Sequence, residues 1–246
     1  MRVGAGAAAL IVVLAASGCG SAANPTPGPA ASTVNAENST LPTEPVSTPE
    51  LEAALFGAVR DNDAAAVRAA VAGGANIESR DDRQRTPLVA ATKSNAGAVA
   101  IALIESGADV NAQDDIRDSA FLYAGAEGLD EILSATLTHG ADVRSTNRFG
   151  GTALIPAAEH AHVETVRTLI DAGVPVNHVN DPGWTALLEA VVYGDGSARY
   201  VDVVTQLLDA GADPSIRDAH GRTALEHAQR LGQRDVATLL AEHDGI

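Results

Sequence analysis

Cysteine is nearly missing from this chain of 246 residues, which has a single one, Cys19. One thiol cannot close an internal disulfide, and there is no cysteine pair to hold a zinc ion. Aromatic side chains make up only 3% of residues, with one tryptophan, although hydrophobic residues reach 46%. That balance excludes a thick aromatic core and suits many small contacts between helices. Basic charge is short as well: 16 Lys and Arg against 32 Asp and Glu leave a net charge of −16. The resulting field repels phosphate backbones and anionic lipid surfaces, so nucleic acid is not an expected partner and a basic protein surface is a more comfortable one. The same acidity also serves plain solubility.

Long apolar runs are confined to the start. Met1 and Arg2 give a short positive beginning, and Val3 to Ala16 form an apolar stretch too short to span a bilayer comfortably. Residues 1–18 therefore read as a signal peptide. Its end, Leu14-Ala15-Ala16-Ser17-Gly18-Cys19, resembles the lipobox of bacterial lipoproteins, with Ala16 where that family most often has leucine. The resemblance implies an exported product whose N-terminal Cys19 is diacylated and anchors it to a membrane of the cell envelope. Cleavage by an ordinary signal peptidase and a freely secreted, soluble product is the alternative. Residues 19–48 then carry Pro25, Pro27, Pro29, Pro42 and Pro45 among Ser, Thr, Ala and Asn. Such a stretch cannot bury a core and reads as a disordered tether, about 30 Å from end to end as a flexible coil.

From residue 49 onward the sequence repeats. Gly74-Ala75, Gly107-Ala108, Gly140-Ala141, Gly173-Val174 and Gly211-Ala212 recur in step with Thr86-Pro87-Leu88, Ser119-Ala120-Phe121, Thr152-Ala153-Leu154, Thr185-Ala186-Leu187 and Thr223-Ala224-Leu225. Each Thr or Ser suits a helix N-cap, and Pro87 suits a first helical position, where its missing N–H is not needed. Each glycine supplies a left-handed C-cap to the second helix of its unit. Ala91, Ala124, Ala157, Ala190 and Ala228 let the first helices approach their neighbours, and Leu103, Leu133, Leu169, Leu207 and Leu239 are expected in the core from the second helices.

These two markers resemble the ankyrin repeat, which opens its first helix with Thr-Pro-Leu-His and closes its second with Gly-Ala-Asp-Val-Asn, a run met in full at Gly107-Ala108-Asp109-Val110-Asn111. The resemblance implies an all-α fold, an ankyrin-repeat solenoid of about six helix-turn-helix units with short hairpin fingers. The units fall at about 49–80, 81–113, 114–146, 147–179, 180–217 and 218–246. Val89, Tyr123, Ile155, Leu188 and Glu226 are read as standing in place of the motif's histidine. Five extra residues, Gly194 to Ala198, read as a surface loop between the two helices of the fifth unit, the alternative being an added contact beside the concave face.

Ankyrin arrays bind proteins through finger tips and the exposed face of the first helices, so the resemblance implies a binding module and no cofactor. Aligning the units singles out residues that packing does not require: Arg148 and Phe149 at one finger, Trp184 at the next, then Glu159 and His160, and Glu189 and Tyr193, along two neighbouring first helices. Tyr, Trp and Arg are usual interface anchors, and Phe149 and Trp184 could equally pack between fingers. An enzyme is not expected. His160, His162 and His178 lie near Glu159, Glu164 and Asp181, but two histidines two apart on a helix would point to different faces, whereas helix-borne metal ligands sit three or four apart. No nucleophile motif and no phosphate-cradling glycine loop accompany them. The expected role is an envelope-anchored module that holds, scaffolds or inhibits a protein partner, touching the membrane through its lipid alone. A lipid-anchored structural or stress-protective protein without one specific partner is the second reading.

Overall fold

The computed structural model describes residues 48–244, so the proposed signal peptide, Cys19 and the tether up to residue 47 lie outside the described residues. Twelve helices and no strand are found among them, arranged as six consecutive pairs. The pairs are α1 (Thr48–Arg60) with α2 (Ala64–Ala72), α3 (Pro87–Lys93) with α4 (Gly97–Glu105), and α5 (Ala120–Glu127) with α6 (Asp130–Thr138). They continue with α7 (Leu154–Glu159) and α8 (Val163–Asp171), α9 (Ala186–Val192) and α10 (Ala198–Asp209), and α11 (Ala224–Leu231) and α12 (Arg234–Asp244). Each helix packs on its pair mate and on the corresponding helix of the next unit, for example α5 on α7 and α7 on α9. The result is a two-layered stack of first helices and second helices joined by fingers.

The local chemistry repeats. Thr86, Ser119, Thr185 and Thr223 accept a hydrogen bond from the backbone N–H three residues on, at 3.2 to 3.3 Å. These bonds satisfy donors that a helix start leaves orphaned. At the other end Gly74, Gly107, Gly140, Gly173 and Gly211 all have φ between +82° and +96°. The residue after each glycine donates its N–H back to the carbonyl five residues earlier, as Ala108 does to Leu103, which closes the second helix. The alanines at 91, 124, 157, 190 and 228 are all buried. At Gly125 an added Cβ would stand 2.8 Å from Ala153 Cβ, so α5 and α7 meet with no room for a methyl group.

Thr152 departs from the pattern. It was expected to cap α7, yet Ala153 holds the N-cap place and makes no side-chain bond. Pro156, inside the first turn, has no N–H to give to the Thr152 carbonyl. The turn tightens instead, with Ile155 N–H donating to that carbonyl at 3.2 Å. The Thr152 hydroxyl is left enclosed without a hydrogen-bond partner. An orphaned buried hydroxyl costs free energy that an apolar group of the same shape does not. Thr152→Val is therefore expected to stabilise the array by about 1 kcal/mol, seen as a higher urea midpoint at unchanged slope; a lower midpoint would mean the hydroxyl is satisfied.

Three further expectations need correction. Leu239 is only partly buried, and Leu240, with Val236, is what α12 places in the core. Leu240 continues the row Leu103, Thr136, Leu169 and Leu207, while Leu133 belongs one turn earlier beside Ala100, Val166 and Val204. Thr136 fits this apolar row because its hydroxyl donates to Leu133 O at 2.7 Å. In the third unit the motif's histidine place is taken by Leu122, whose N–H reaches the Ser119 cap, and not by Tyr123. Finally, the insertion does place the expected loop, residues 194–197, between α9 and α10, but part of it lengthens the helix that follows and the segment is held in place. α10 runs 12 residues where α4, α6 and α8 run 9, and the added turn is tied down. Tyr200 Oη donates to Glu159 O at 2.8 Å, Arg199 Nη2 to Ala161 O at 2.8 Å, and Gln233 Nε2 to Val191 O and Gly194 O.

Candidate partner-binding groove

Every finger is turned by one short polar side chain five residues before its Thr or Ser, namely Asp81, Asp114, Asn147, Asn180 and Asp218. Its first oxygen accepts backbone N–H groups two and four residues ahead, as Asn147 Oδ1 does from Phe149 at 2.9 Å and Gly151 at 3.1 Å. This is an Asx turn, which bends the backbone without glycine's entropy cost. At the fourth finger Pro182 removes the first donor and only the Trp184 bond, 2.8 Å, remains. Neighbouring fingers are joined by backbone bonds such as Asp181 N–H to Phe149 O at 2.9 Å. The row was legible in the sequence, since it keeps the spacing of the other two markers, but it was not singled out.

At three of these fingers the second side-chain atom of the turn residue binds a side chain of a first helix. Asp114 Oδ2 takes Lys93 Nζ at 2.6 Å. Asp218 Oδ2 takes His227 Nε2 at 2.8 Å in a buried pair. Burial alone would raise the Asp218 carboxyl, but the N–H groups of Arg222 and His220 and the contact with His227 overcome it and hold the group at about 2. At the fourth finger the polarity is reversed: Asn180 Nδ2 donates to Glu189 Oε1 at 3.0 Å. An aspartate at 180 would set two carboxylates against each other, so the asparagine is what lets a glutamate occupy this place.

Between the fingers and the first helices of units two to five lies a groove of about 560 Å³. Of the seven residues singled out for partner contact, Arg148, Phe149, Glu159 and Glu189 line it. Phe149 is 50% exposed, with the Arg148 guanidinium 4.5 Å above its ring. Glu189 is 8% exposed. Burial first, then the charge of Glu159, push its carboxyl up to about 7 against the pull of Asn180 and His160. Pro182 also lines the groove, as do Lys93, Ile116, Tyr123 and Glu127, which were not singled out. Ile116, an apolar finger-tip residue 39% exposed, could have been found by asking which finger tips carry a large apolar side chain.

Trp184, His160 and Tyr193 are not among the lining residues. Trp184 is half-buried, with ring centroids 6.2 Å from Tyr193 and 6.0 Å from His227. Tyr193, the C-cap of α9, is 60% exposed and forms the outer edge of that aromatic cluster. His160 caps α7 with its Nδ1 3.2 Å from Ala126 O. The two neighbouring histidines were expected on different faces of one helix, and here the structure differs. Ala161, at φ +50°, separates α7 from α8, and the rings of His160 and His162 lie 5.6 Å apart. Among the described residues no group of three or more His, Cys, Asp and Glu is placed to hold a metal ion.

A stack of six helix pairs with a finger-lined groove defines a repeat solenoid, a class that presents an extended concave surface to partners. The sequence profile of the family "ankyrin repeats (3 copies)" matches residues 121–218, and that of the single "ankyrin repeat" matches residues 83–115. An ankyrin repeat domain from Acinetobacter baumannii AYE superposes with a TM-score of 0.75 at 52% identity, over 77% of this chain and 97% of that one. The ankyrin repeat protein EF0377 gives 0.75 at 40% identity, over 78% and 98%. The putative ankyrin repeat protein YahD of Escherichia coli (strain K12) is 40% identical over 52 residues, 21% of this chain and 26% of its own length. The chain thus spans about a quarter of that curated relative. It belongs to the ankyrin-repeat family, and an ankyrin-repeat domain is in general a protein-interaction module.

Proposed function

We propose that this chain is an exported binding module, anchored to a membrane of the cell envelope by a diacylated Cys19 and receiving a protein partner in the groove between its fingers and first helices. The observation that carries the reading is the groove itself, because it gathers an exposed aromatic ring, an exposed isoleucine and charged side chains that no packing contact requires. Surface-exposed apolar side chains that cluster in a concavity mark interaction sites better than scattered ones do. The anchor rests on the lipobox-like run ending at Cys19, and the tether would let the array stand clear of the lipid.

The test joins both parts. The full chain is recovered from the membrane fraction of its native cell, its intact mass is compared with that of Cys19→Ala, and crosslinking identifies what accompanies it. The mass of a diacylglyceryl group on the unsubstituted chain, and one recurrent crosslinked protein lost in Arg148→Ala with Phe149→Ala, are expected. Both side chains are exposed, so the double variant should keep its melting curve. An unlipidated product in the medium would sink the anchor, and crosslinks indifferent to the double variant would sink the groove.

A further inference from the structure

The groove holds an unbalanced set of charges. Its two cations are already engaged: Lys93 lies 2.6 Å from Asp114 Oδ2 and 2.9 Å from Asp118 Oδ2, and Arg148 is stacked on Phe149. Three carboxylates that line it, Glu127, Glu159 and Glu189, have no cationic partner within 4 Å among the described residues. Glu189 is the most enclosed of them, and Asn180 satisfies only its Oε1. On the same wall the Thr152 hydroxyl, 1% exposed, has no partner at all. A buried carboxylate beside a second one, with an unused acceptor nearby, is an expensive arrangement that a well-placed cation would relieve. Much of the remaining wall is apolar or aromatic, with Ile116, Tyr123, Phe149, Pro156 and Pro182. A long basic side chain has that dual character, because its methylene stem packs on apolar and aromatic surface while its head donates hydrogen bonds to carboxylates.

We propose that the groove receives one arginine or lysine side chain presented by an extended segment of the partner protein, with Glu159 and Glu189 facing its charge and Tyr123 and Phe149 flanking its stem. The inference rests on the reading of the groove as the partner-binding face, and it specifies the chemistry of that partner. The net charge of −16 favours the same sign of partner at long range and speeds the encounter.

A cation can use Glu189 only in its ionised form. The ionisable groups around that carboxyl are Glu159 and His160 at the end of α7 and Arg148 across the groove. On α10, Arg199 is occupied by Ala161 O and Asp202 by Gln206. On α11, His227 is taken by Asp218 and Glu226 by Arg217. Glu189 therefore keeps its proton to about pH 7 in the free chain. Binding must displace that proton, so affinity should fall by up to about tenfold per pH unit below 7, and Glu189→Gln should flatten this dependence.

The experiment selects binders to the full chain from a displayed library of random twelve-residue peptides, then measures the enriched peptides by titration. The expected result is a single Lys or Arg at a fixed position. Replacing it by norleucine should weaken binding about tenfold or more, and so should Glu159→Gln with Glu189→Gln. The charge-matched exposed control Asp171→Asn with Asp209→Asn should leave binding within about twofold, because only long-range attraction changes. Far-UV circular dichroism confirms that both double variants fold. Peptides that lose affinity on Phe149→Ala but carry no basic residue would overturn the inference and leave the groove standing as a binding face. Peptides indifferent to Phe149→Ala and to the glutamates, or no enrichment at all, would overturn both.

Discussion

Phe121→Ala is expected to cost the array about 4 kcal/mol and to break its unfolding into two steps. Phe121 sits on the first turn of α5, fully buried, at the place that Leu88, Leu154 and Leu187 fill in other units. It is the largest fully buried side chain of the described residues, in a chain with only three phenylalanines. Its neighbours cannot collapse into the void, because α5 already meets α7 at the Gly125 to Ala153 contact with no spare room. In a solenoid each unit is held only by its neighbours, so weakening the third uncouples the first two from the last three. The single tryptophan, Trp184, lies in the fifth unit and reports on the C-terminal half alone. Urea unfolding followed by circular dichroism should lose part of its helical signal before the Trp184 fluorescence changes. Coincident transitions with a shift below about 1 kcal/mol would mean that the third unit is not the keystone of the stack.

Both the fold and much of the groove were legible in the sequence for one reason: each recurrent residue answers a backbone requirement that cannot be met otherwise. The left-handed positions at Gly107 or Gly140 and the orphan N–H groups above Thr86 or Thr185 recur at fixed spacing because the helices do. The same reasoning failed where two requirements compete. Thr152 looks like a cap until Pro156, four residues on, removes a donor and tightens the turn. Leu239 and Leu240 are adjacent, and composition cannot say which faces the core. Alignment of the units found Phe149, Arg148, Glu159 and Glu189 because each breaks a repeat position. Lys93, Tyr123 and Glu127 come from other units and are ordinary residues on exposed faces until the stack brings them to one wall. What ties the insertion down was unreadable for a related reason: Tyr200 and Arg199 act through bonds to the preceding unit.

Glu189→Gln is expected to stabilise the array by about 2 kcal/mol at pH 8 and to change it little at pH 5. The native carboxyl is raised from 4.5 to about 7, chiefly by burial and then by Glu159. A native group that holds its proton above the unfolded value contributes stability that is complete below about pH 4.5. As the pH rises the unfolded chain ionises first, so that stability is lost between about 4.5 and 7 and nothing further changes above. The displacement corresponds to roughly 3 kcal/mol, which the opening of the groove to water reduces. The substituted amide keeps the acceptor for Asn180 Nδ2 and has no charge to desolvate. Urea midpoints of both proteins at pH 5 and pH 8 decide the matter: an equal gap at the two pH values, or a wild-type midpoint flat between them, would show that Glu189 ionises freely. A residue that weakens its own fold at neutral pH, when a neutral amide would serve the same hydrogen bond, is the pattern found where stability has been given up for a site. The stabilising substitution should therefore also be the one that loses basic peptides.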